Sequence, residues 1–241
     1  MKILIIRHGD PDYAIDSLTA QGKIEAELLS QKLCKMDITA FYVSPLGRAK
    51  DTAAYTLQKF GRTAVECEWL QEFPPQIDRP DCRRTCAWDW LPQDWTAVPA
   101  FFDRDAWQTA PAMVNGNVGA EYARVTTEFD RLLAKHGYER QGAFYRVIRA
   151  NEDTLAFFCH FGLECVLLSH LLHISPMLVW HGFCAAPSSV TTLVTEERRA
   201  GIAYFRMSGF GDVGHLYAGG ESPSFAARFC ETFDNTAQRH D

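Results

Sequence analysis

Two histidines in this chain stand where buried strands are predicted to end. The apolar run at 3–6 leads into Arg7 and His8, and a second apolar run at 155–159 leads into His160. An arginine offers a planar fork of donors that matches a phosphate group, and a neutral imidazole can act as a nucleophile. The tripeptide Arg7-His8-Gly9 alone fits a strand that ends in polar residues equally well, but the repeat of the pattern at His160 favours a functional site.

Two charged side chains are candidates to join this site. Arg48 lies in the first turn of a helix predicted to follow the loop at 44–47, and helix N-termini favour anions. We therefore interpret Arg48 as a second candidate phosphate ligand, although a solvated arginine fits the segment equally well when it is read alone. Glu72 comes just past a strand predicted at 65–69, as His8 comes just past its own strand.

The elements that must position these side chains predict an α/β fold. Apolar runs rich in β-branched residues, such as 3–6, are typical of strands buried on both faces. Thr19 is a candidate N-cap of an amphipathic helix, and a second amphipathic helix is predicted from 122 to 133. Open α/β sheets carry their chemistry just beyond the carboxyl ends of their strands, which is where Arg7, His8 and His160 stand.

The last third of the chain predicts an antiparallel addition to the sheet. Segments 189–195 and 202–207 have the pattern of two strands joined by a hairpin, and we expect them at the sheet edge. Residues 211–216 are predicted to form a loop. Residues 225–241 are predicted to form a short helix and a frayed polar tail.

The segment from 73 to 119 differs in amino-acid composition from the rest of the chain. It is rich in proline and holds four of the six tryptophans, which need burial: Trp88, Trp90, Trp95 and Trp107. We therefore predict an insertion that folds over the core as a cap. Four arginines lie in it, of which one or two could face an anionic substrate: Arg79, Arg83, Arg84 and Arg104.

Composition narrows the classes of function. The 241 residues fit one α/β domain, and the net charge of −6 argues against broad nucleic-acid binding, which uses a basic face. We find no signal peptide and no membrane span, and the eight scattered cysteines suit a reducing compartment, so we expect a cytoplasmic protein. The pairs Cys82/Cys86 and His170/His173 are spaced as metal ligands can be, but no further ligands accompany them and we expect no metal there.

Taken in order, these residues resemble the motifs of the histidine phosphatases, the phosphoglycerate mutase-like superfamily. The resemblance rests on the segments 7–9, 18–22, 44–49, 70–72, 158–162 and 211–216. Each motif is weak alone, whereas the ordered set is specific. It implies a three-layer α/β/α fold with a mostly parallel central sheet and helices on both faces. We therefore predict a single histidine phosphatase domain over 1–241, in which the motifs run from about 2 to 216 and leave the aromatic-rich inserted cap at 73–119 uncovered.

The resemblance also implies a mechanism, that of a phosphomonoesterase working through a phosphohistidine on His8. Three side chains would hold the phosphoryl oxygens: Arg7, Arg48 and His160. Glu72 would protonate the leaving alkoxide and then activate water. Nearby cations would keep His8 unprotonated, and the phosphate dianion would raise the pKa of Glu72. No metal or other cofactor would be needed, because the arginines supply the positive charge. The enzyme class would be a hydrolase of phosphoric monoesters of the histidine acid phosphatase type.

Two positions depart from the family pattern. The asparagine that often binds phosphate is replaced here by Ala14, so the contact must be lost or come from elsewhere, and Ser17 is a candidate. Phe161 separates His160 from Gly162, where the family commonly has His-Gly; the backbone N–H of Phe161 would add a donor to the phosphate. The long aromatic insertion favours a phosphatase with a lid over a bulky or apolar substrate.

Three other functions stay open. A phosphoglycerate mutase-type phosphotransferase would need a phosphoenzyme that lasts long enough to return its phosphate. A catalytically silent module that binds a phosphorylated ligand would not need a proton donor such as Glu72. A metal hydrolase built on His160, His170 and His173 would be sensitive to chelators. The expected partner is a small phosphorylated substrate, with no nucleic acid and no membrane, and a homodimer is open.

Overall fold

The computed structural model describes residues 1–240, which are organised around one eight-stranded sheet. The strands, numbered along the chain, are β1 (Lys2–Arg7), β2 (Pro11–Asp12), β3 (Ser17–Leu18), β4 (Ala40–Val43), β5 (Val65–Glu66), β6 (Gln76–Arg79), β7 (Cys82–Cys86), β8 (Tyr138–Gln141), β9 (Phe144–Val147), β10 (Thr154–Cys159), β11 (Val190–Arg199) and β12 (Ile202–Asp212). The α-helices are α1 (Ala20–Leu33), α2 (Gly47–Phe60), α3 (Pro92–Trp95), α4 (Pro111–Asn115), α5 (Val118–Lys135), α6 (Phe161–Leu172), α7 (Pro176–Gly182) and α8 (Gly214–Ala218). Short 3₁₀ turns lie at Glu68–Leu70, Pro99–Phe102, Ala106–Thr109 and Phe225–Ala227.

The central sheet has the order β5-β4-β10-β1-β11-β12-β9-β8. From β5 to β1 the neighbouring strands are parallel, and from β1 to β8 they are antiparallel. The remaining strands form two ribbons, β2 with β3 and β6 with β7. The predicted α/β sheet is confirmed, and its parallel half carries the strand ends that matter for the site.

Helices cover both faces of the sheet, because β1 and β10 are apolar on both sides. Ile3 and Ile5 lie in one buried cluster with side chains of α5, α6 and α7. Leu4 and Ile6 lie in the other, with side chains of α1 and α2. Successive side chains of a strand point to opposite faces, and this alternation gives the three-layer α/β/α arrangement that was predicted.

Several sequence-based expectations about the elements need correction. β11 and β12 pair antiparallel as predicted, but β9 and β8 continue the sheet beyond them, so they are not its edge. The strand predicted at 65–69 stops after two residues, because the chain turns inward to bury Trp69 and Leu70. The segment 211–216 is not a loop, since β12 runs to Asp212 and α8 begins at Gly214.

Two further predictions concern the N-cap of α1 and the carboxyl-terminal segment. Thr19 caps α1 as predicted, accepting a hydrogen bond from the Gly22 N–H at 3.0 Å. The predicted short helix near 225 is the single 3₁₀ turn at Phe225–Ala227. The last residue of the predicted tail and domain, Asp241, lies outside the described residues. No helix among residues 1–240 is long and apolar enough to cross a membrane.

The segment 73–119 packs on the α5–α6–α7 side of the sheet. Phe101 and Trp107 are fully buried and belong to the cluster on that face. The Trp107 ring lies edge-on to Trp180 of α7 at 5.9 Å, and the Ser175 hydroxyl donates to the Phe101 carbonyl at 2.6 Å. The segment 73–119 therefore contributes side chains to the hydrophobic core on that face of the sheet. Its role as a substrate cap stays a prediction.

Candidate active site

Strand pairing brings the two predicted histidines together. β1 runs parallel to β10 with Arg7 opposite Cys159, and the His8 N–H donates to the Cys159 carbonyl at 3.0 Å. The rings of His8 and His160 have centroids 5.1 Å apart, and both side chains are buried. The two strand-end residues therefore form one site at the carboxyl edge of the parallel half of the sheet.

The His8 imidazole is held in a single tautomer. Its Nδ1 lies 2.8 Å from the Gly9 carbonyl oxygen, which can only accept, so Nδ1 carries the proton and Nε2 keeps its lone pair. Burial, followed by the Arg7 charge, lowers the pKa of His8 to about 3. At neutral pH His8 is therefore an uncharged imidazole whose Nε2 can act as a nucleophile.

The His160 imidazole is held differently. Its Nε2 lies 2.8 Å from the Ser44 hydroxyl, and its Nδ1 is buried without a partner. The Ser44 oxygen also accepts from the Leu46 N–H at 3.2 Å. If the Ser44 hydroxyl donates to Nε2, the ring proton lies on Nδ1, and His160 can donate it to an anion. Burial, then the proximity of His8 and the arginines, holds the pKa of His160 well below its usual range.

Arg7 supplies a buried guanidinium next to His8. Its Nη1 donates to the Ala185 carbonyl at 2.5 Å, and its Nε is buried without a partner. The Phe161 ring lies 5.7 Å from the guanidinium carbon, within the range of a cation–π contact. Arg7 is thus anchored at one nitrogen and keeps donors for an anion.

Arg48 stands in the first turn of α2, as predicted, but it already has an anionic partner. Its Nη1 donates to Oδ1 of Asp16 at 2.5 Å, and the Gly47 N–H donates to Oδ2 of the same carboxylate at 2.7 Å. Burial pulls the pKa of Asp16 upward, but the Gly47 N–H and the Arg48 guanidinium outweigh it and lower the pKa overall. The helix start that was expected to bind an anion therefore holds a carboxylate of the chain itself.

Glu72 is oriented by the helix that begins after His160. Its Oε1 accepts from the N–H groups of Phe73 at 2.9 Å and Leu163 at 3.1 Å. An oxygen that accepts from two donors leaves the other oxygen, Oε2, to carry the proton. Burial raises the pKa of Glu72 against the lowering effect of these N–H groups and of Arg7. The side chain therefore holds its proton to a higher pH than an ordinary glutamate, as a proton donor requires.

For two other predicted site residues, Ser17 and Phe161, the contacts in the structure do not test the predicted role. The Ser17 hydroxyl donates to Asp51 at 2.5 Å, so it would have to break that bond to replace the missing asparagine ligand. Phe161 is the first residue of α6, where backbone N–H groups have no partner within the helix. The roles predicted for Ser17 and Phe161 stay predictions.

Sequence reasoning missed four groups that shape the site: Ser44, Asp16, the Ala185 carbonyl and Glu164. Ser44 directly follows β4, so the strand-end rule that singled out His8 could have found it. Asp16 and Ala185 carry no recognisable signal. Glu164 could have been noticed as the one acid in the apolar sequence of α6.

Glu164 is an unusual carboxyl group. It is 1% exposed, one turn into α6, and neither of its oxygens has a hydrogen bond of normal geometry. Burial raises its pKa to about 7, although the nearby Thr191 hydroxyl and Arg7 act in the opposite direction. Glu164 therefore holds its proton to a much higher pH than an ordinary glutamate.

Two other histidines and two arginines of the segment 73–119 are engaged elsewhere. His170 Nε2 pairs with Asp130 at 2.9 Å, and His181 accepts from the Trp90 N–H at 3.2 Å. Within residues 1–240, no group of three His, Cys, Asp or Glu side chains has the arrangement to hold a metal ion. Arg79 pairs with Asp81 and Arg104 with Asp105, so these two arginines of the segment 73–119 have partners of their own.

The chain belongs to the histidine phosphatase superfamily. The family model of the histidine phosphatase superfamily, branch 1, matches residues 3–207. This match spans the two histidine segments, Arg48 and Glu72, and it agrees with the resemblance drawn from the motifs.

Solved structures of similar fold include three enzymes. A mutant phosphoserine phosphatase from Entamoeba histolytica, crystallised with phosphoserine, has a TM-score of 0.61 at 18% identity, covering 89% of this chain and 98% of its own. A mycobacterial hydrolase gives 0.58 at 19%, over 88% and 98%. The mycobacterial glucosyl-3-phosphoglycerate phosphatase complexed with VO₃ gives 0.54 at 18%, over 87% and 98%. At these identities the likeness shows the fold. No curated protein sequence matches the chain.

Proposed function

We propose that the protein is a phosphomonoesterase that forms a phosphohistidine on His8. The observation that carries the proposal is the state of the His8 ring, whose Nδ1 proton is held by the Gly9 carbonyl while Nε2 stays free and uncharged. Family membership and the phosphatases of similar fold support a phosphatase in general. The arrangement of arginines and acid favours hydrolysis of a small phosphate ester.

In the first step, the Nε2 lone pair of His8 attacks phosphorus as the bond to the ester oxygen breaks. The leaving oxygen takes the proton from Oε2 of Glu72 and departs as an alcohol. Arg7, Arg48 and the Nδ1–H of His160 stabilise the charge on the transferred phosphoryl group. The phosphoryl group is then bound to His8, and Glu72 is a carboxylate.

In the second step, Glu72 accepts a proton from water as the water oxygen attacks phosphorus. The bond from phosphorus to Nε2 breaks, inorganic phosphate is released, and His8 and the protonated Glu72 are regenerated. Because Glu72 must be protonated in the first step, the rate of phosphoenzyme formation should fall as the pH rises above the raised pKa of Glu72. No observation favours the mutase or the silent binding module over this reaction.

The test is a screen of phosphate esters combined with detection of the intermediate. Hydrolysis should be seen, and a rapidly quenched reaction should carry one acid-labile phosphoryl group on His8, located by peptide mass spectrometry. Glu72→Gln should lose the alkaline decline in phosphoenzyme formation, because it removes the proton that titrates. Hydrolysis without a phosphoryl group on His8 would contradict the mechanism.

A further inference from the structure

Trp88 and Phe161 form an aromatic wall beside the proton donor. Their rings meet edge to face, with centroids 6.3 Å apart and planes at 83°. Trp88 belongs to the segment 73–119, and Phe161 begins α6 directly after His160. Both side chains are half-buried, so each keeps part of its surface accessible.

This wall lies next to the catalytic groups at both ends. Phe161 lies against the Arg7 guanidinium, which is proposed to hold the phosphoryl group. At the other end, the Trp88 indole N–H donates to the carbonyl of Phe73, the residue next to Glu72, at 3.2 Å. A Cβ added at Gly162 would lie 2.6 Å from Trp88 Nε1 and 2.8 Å from Glu72 Oε1, so Trp88 and Glu72 pack against the same glycine.

These contacts define the position of the leaving group, given the proposed function. The ester oxygen must lie between the phosphorus and Glu72, since Glu72 protonates it. The organic part attached to that oxygen then extends past Glu72, where the Trp88–Phe161 wall stands. The largest opposite charges that act on Glu72 are those of Arg7 and Arg48, both proposed to hold the phosphoryl group. The two rings give the neighbourhood of the leaving group an aromatic face.

We infer that the Trp88–Phe161 wall is a leaving-group subsite that selects phosphate esters of aromatic alcohols over small aliphatic ones. A flat apolar group can stack on, or meet edge-on, the accessible faces of the two rings. The inference rests on the proposed function for the position of the ester oxygen, but the subsite can be tested by binding as well as by turnover.

The experiment compares benzyl phosphate with propyl phosphate, whose alkoxide leaving groups are similar in reactivity. The natural protein should prefer benzyl phosphate by about tenfold in kcat/KM, the size of effect that aromatic contacts give in an enclosed site. Trp88→Leu keeps the position apolar but removes the flat face. It should lower kcat/KM for benzyl phosphate by about tenfold and change that for propyl phosphate by about twofold or less.

Trp95→Leu is the matched control, because it removes a half-buried tryptophan of the same segment that stacks on His181 instead. It should change both substrates alike. The Kd values of benzylphosphonate and propylphosphonate, measured by calorimetry, give the same preference without turnover. If the phosphonates show the preference and Trp88→Leu removes it while neither ester is hydrolysed, the subsite stands and the proposed function fails. Equal treatment of benzyl and propyl ligands, or equal losses in Trp88→Leu and Trp95→Leu, would overturn the subsite.

Discussion

The segments that follow β1 and β10 have the same pattern in sequence and different surroundings in the fold. Each ends a buried parallel strand with a histidine, and the two rings lie 5.1 Å apart. A carbonyl that only accepts holds His8, which frees its Nε2 as a lone pair. A hydroxyl holds His160 at Nε2 and leaves Nδ1 unpartnered. The comparison teaches that a partner that can only accept fixes the tautomer of a buried histidine, whereas a hydroxyl is compatible with either tautomer.

A buried carboxyl group lies close in sequence to each of the two histidines. Glu25 is fully buried and accepts from the Asp10 N–H at 2.8 Å, just after the His8 turn, and Glu164 lies one turn after His160. Burial raises the pKa of each to about 7. Only Glu25 has a hydrogen bond of normal geometry, so the two differ in how firmly they are tied to the neighbouring backbone.

The largest effect is expected for the replacement of His8, which distinguishes its role from that of His160. His8→Ala removes the nucleophile and should lower kcat/KM for benzyl phosphate by at least about 10⁴-fold. No phosphoenzyme should be detectable after rapid quenching. Circular dichroism of the variant should match that of the natural protein, so that the loss is chemical. Activity within tenfold of the natural protein would show that His8 is not the attacking group.

Replacing the second histidine should cost less. His160→Ala removes a donor to the phosphoryl group but leaves the nucleophile, so kcat/KM should fall by about 10²- to 10³-fold. A phosphoryl group should still appear on His8, more slowly than in the natural protein, in quenched-flow measurements. A loss as complete as that of His8→Ala, with no phosphoenzyme, would break the distinction drawn between the two rings.

The buried carboxyls should make stability depend on pH. The folded state keeps a proton on Glu164 up to about pH 7, whereas the unfolded chain loses it near the ordinary value of 4.5. Between these values the folded state binds more protons, so stability falls as the pH rises, by on the order of 3 kcal/mol for this group.

Urea denaturation at pH 5 and pH 8 measures this loss. Glu164→Gln has no proton to lose, so the difference in unfolding free energy between the two pH values should shrink by on the order of 3 kcal/mol. Glu25→Gln is the matched comparison. It also removes a titrating proton, so it should shrink the difference in unfolding free energy too, and its amide oxygen can still accept from the Asp10 N–H. An unchanged pH dependence in Glu164→Gln would mean that Glu164 ionises normally in the folded protein.

The smallest effect concerns what holds His160. Ser44→Ala removes the hydroxyl at Nε2, and the loss of one neutral hydrogen bond should lower kcat/KM by about fivefold, corresponding to roughly 1 kcal/mol. Ser169→Ala is the control, since this buried serine of α6 bonds to the Val166 carbonyl. It should leave kcat/KM unchanged. Equal activity in Ser44→Ala and the natural protein would indicate that packing alone orients His160.

Much of the parallel half of the fold could be predicted because its strands are short apolar runs with polar ends. Arg7, His8 and His160 were placed at strand ends from that pattern, and the pairing of β1 with β10 brings them together. The strand predicted at 65–69 was too long, because alternation along the chain does not reveal that Trp69 turns inward. Asp16 could not be found, because its contact with Arg48 depends on the turn between β2 and β3 meeting the start of α2 in the fold.

The contact between Asp16 and Arg48 affects how an anion can bind at Arg48 and leave it. Asp16 holds the start of α2 from a backbone in the left-handed region, with φ at 47°, and Gly47 lets the two segments approach closely. The guanidinium is thus paired with a tethered carboxylate at Nη1, and its Nε is left without a partner. If Arg48 binds the phosphoryl group, as proposed, the phosphate and Asp16 share one cation, and repulsion between the two anions favours the release of inorganic phosphate.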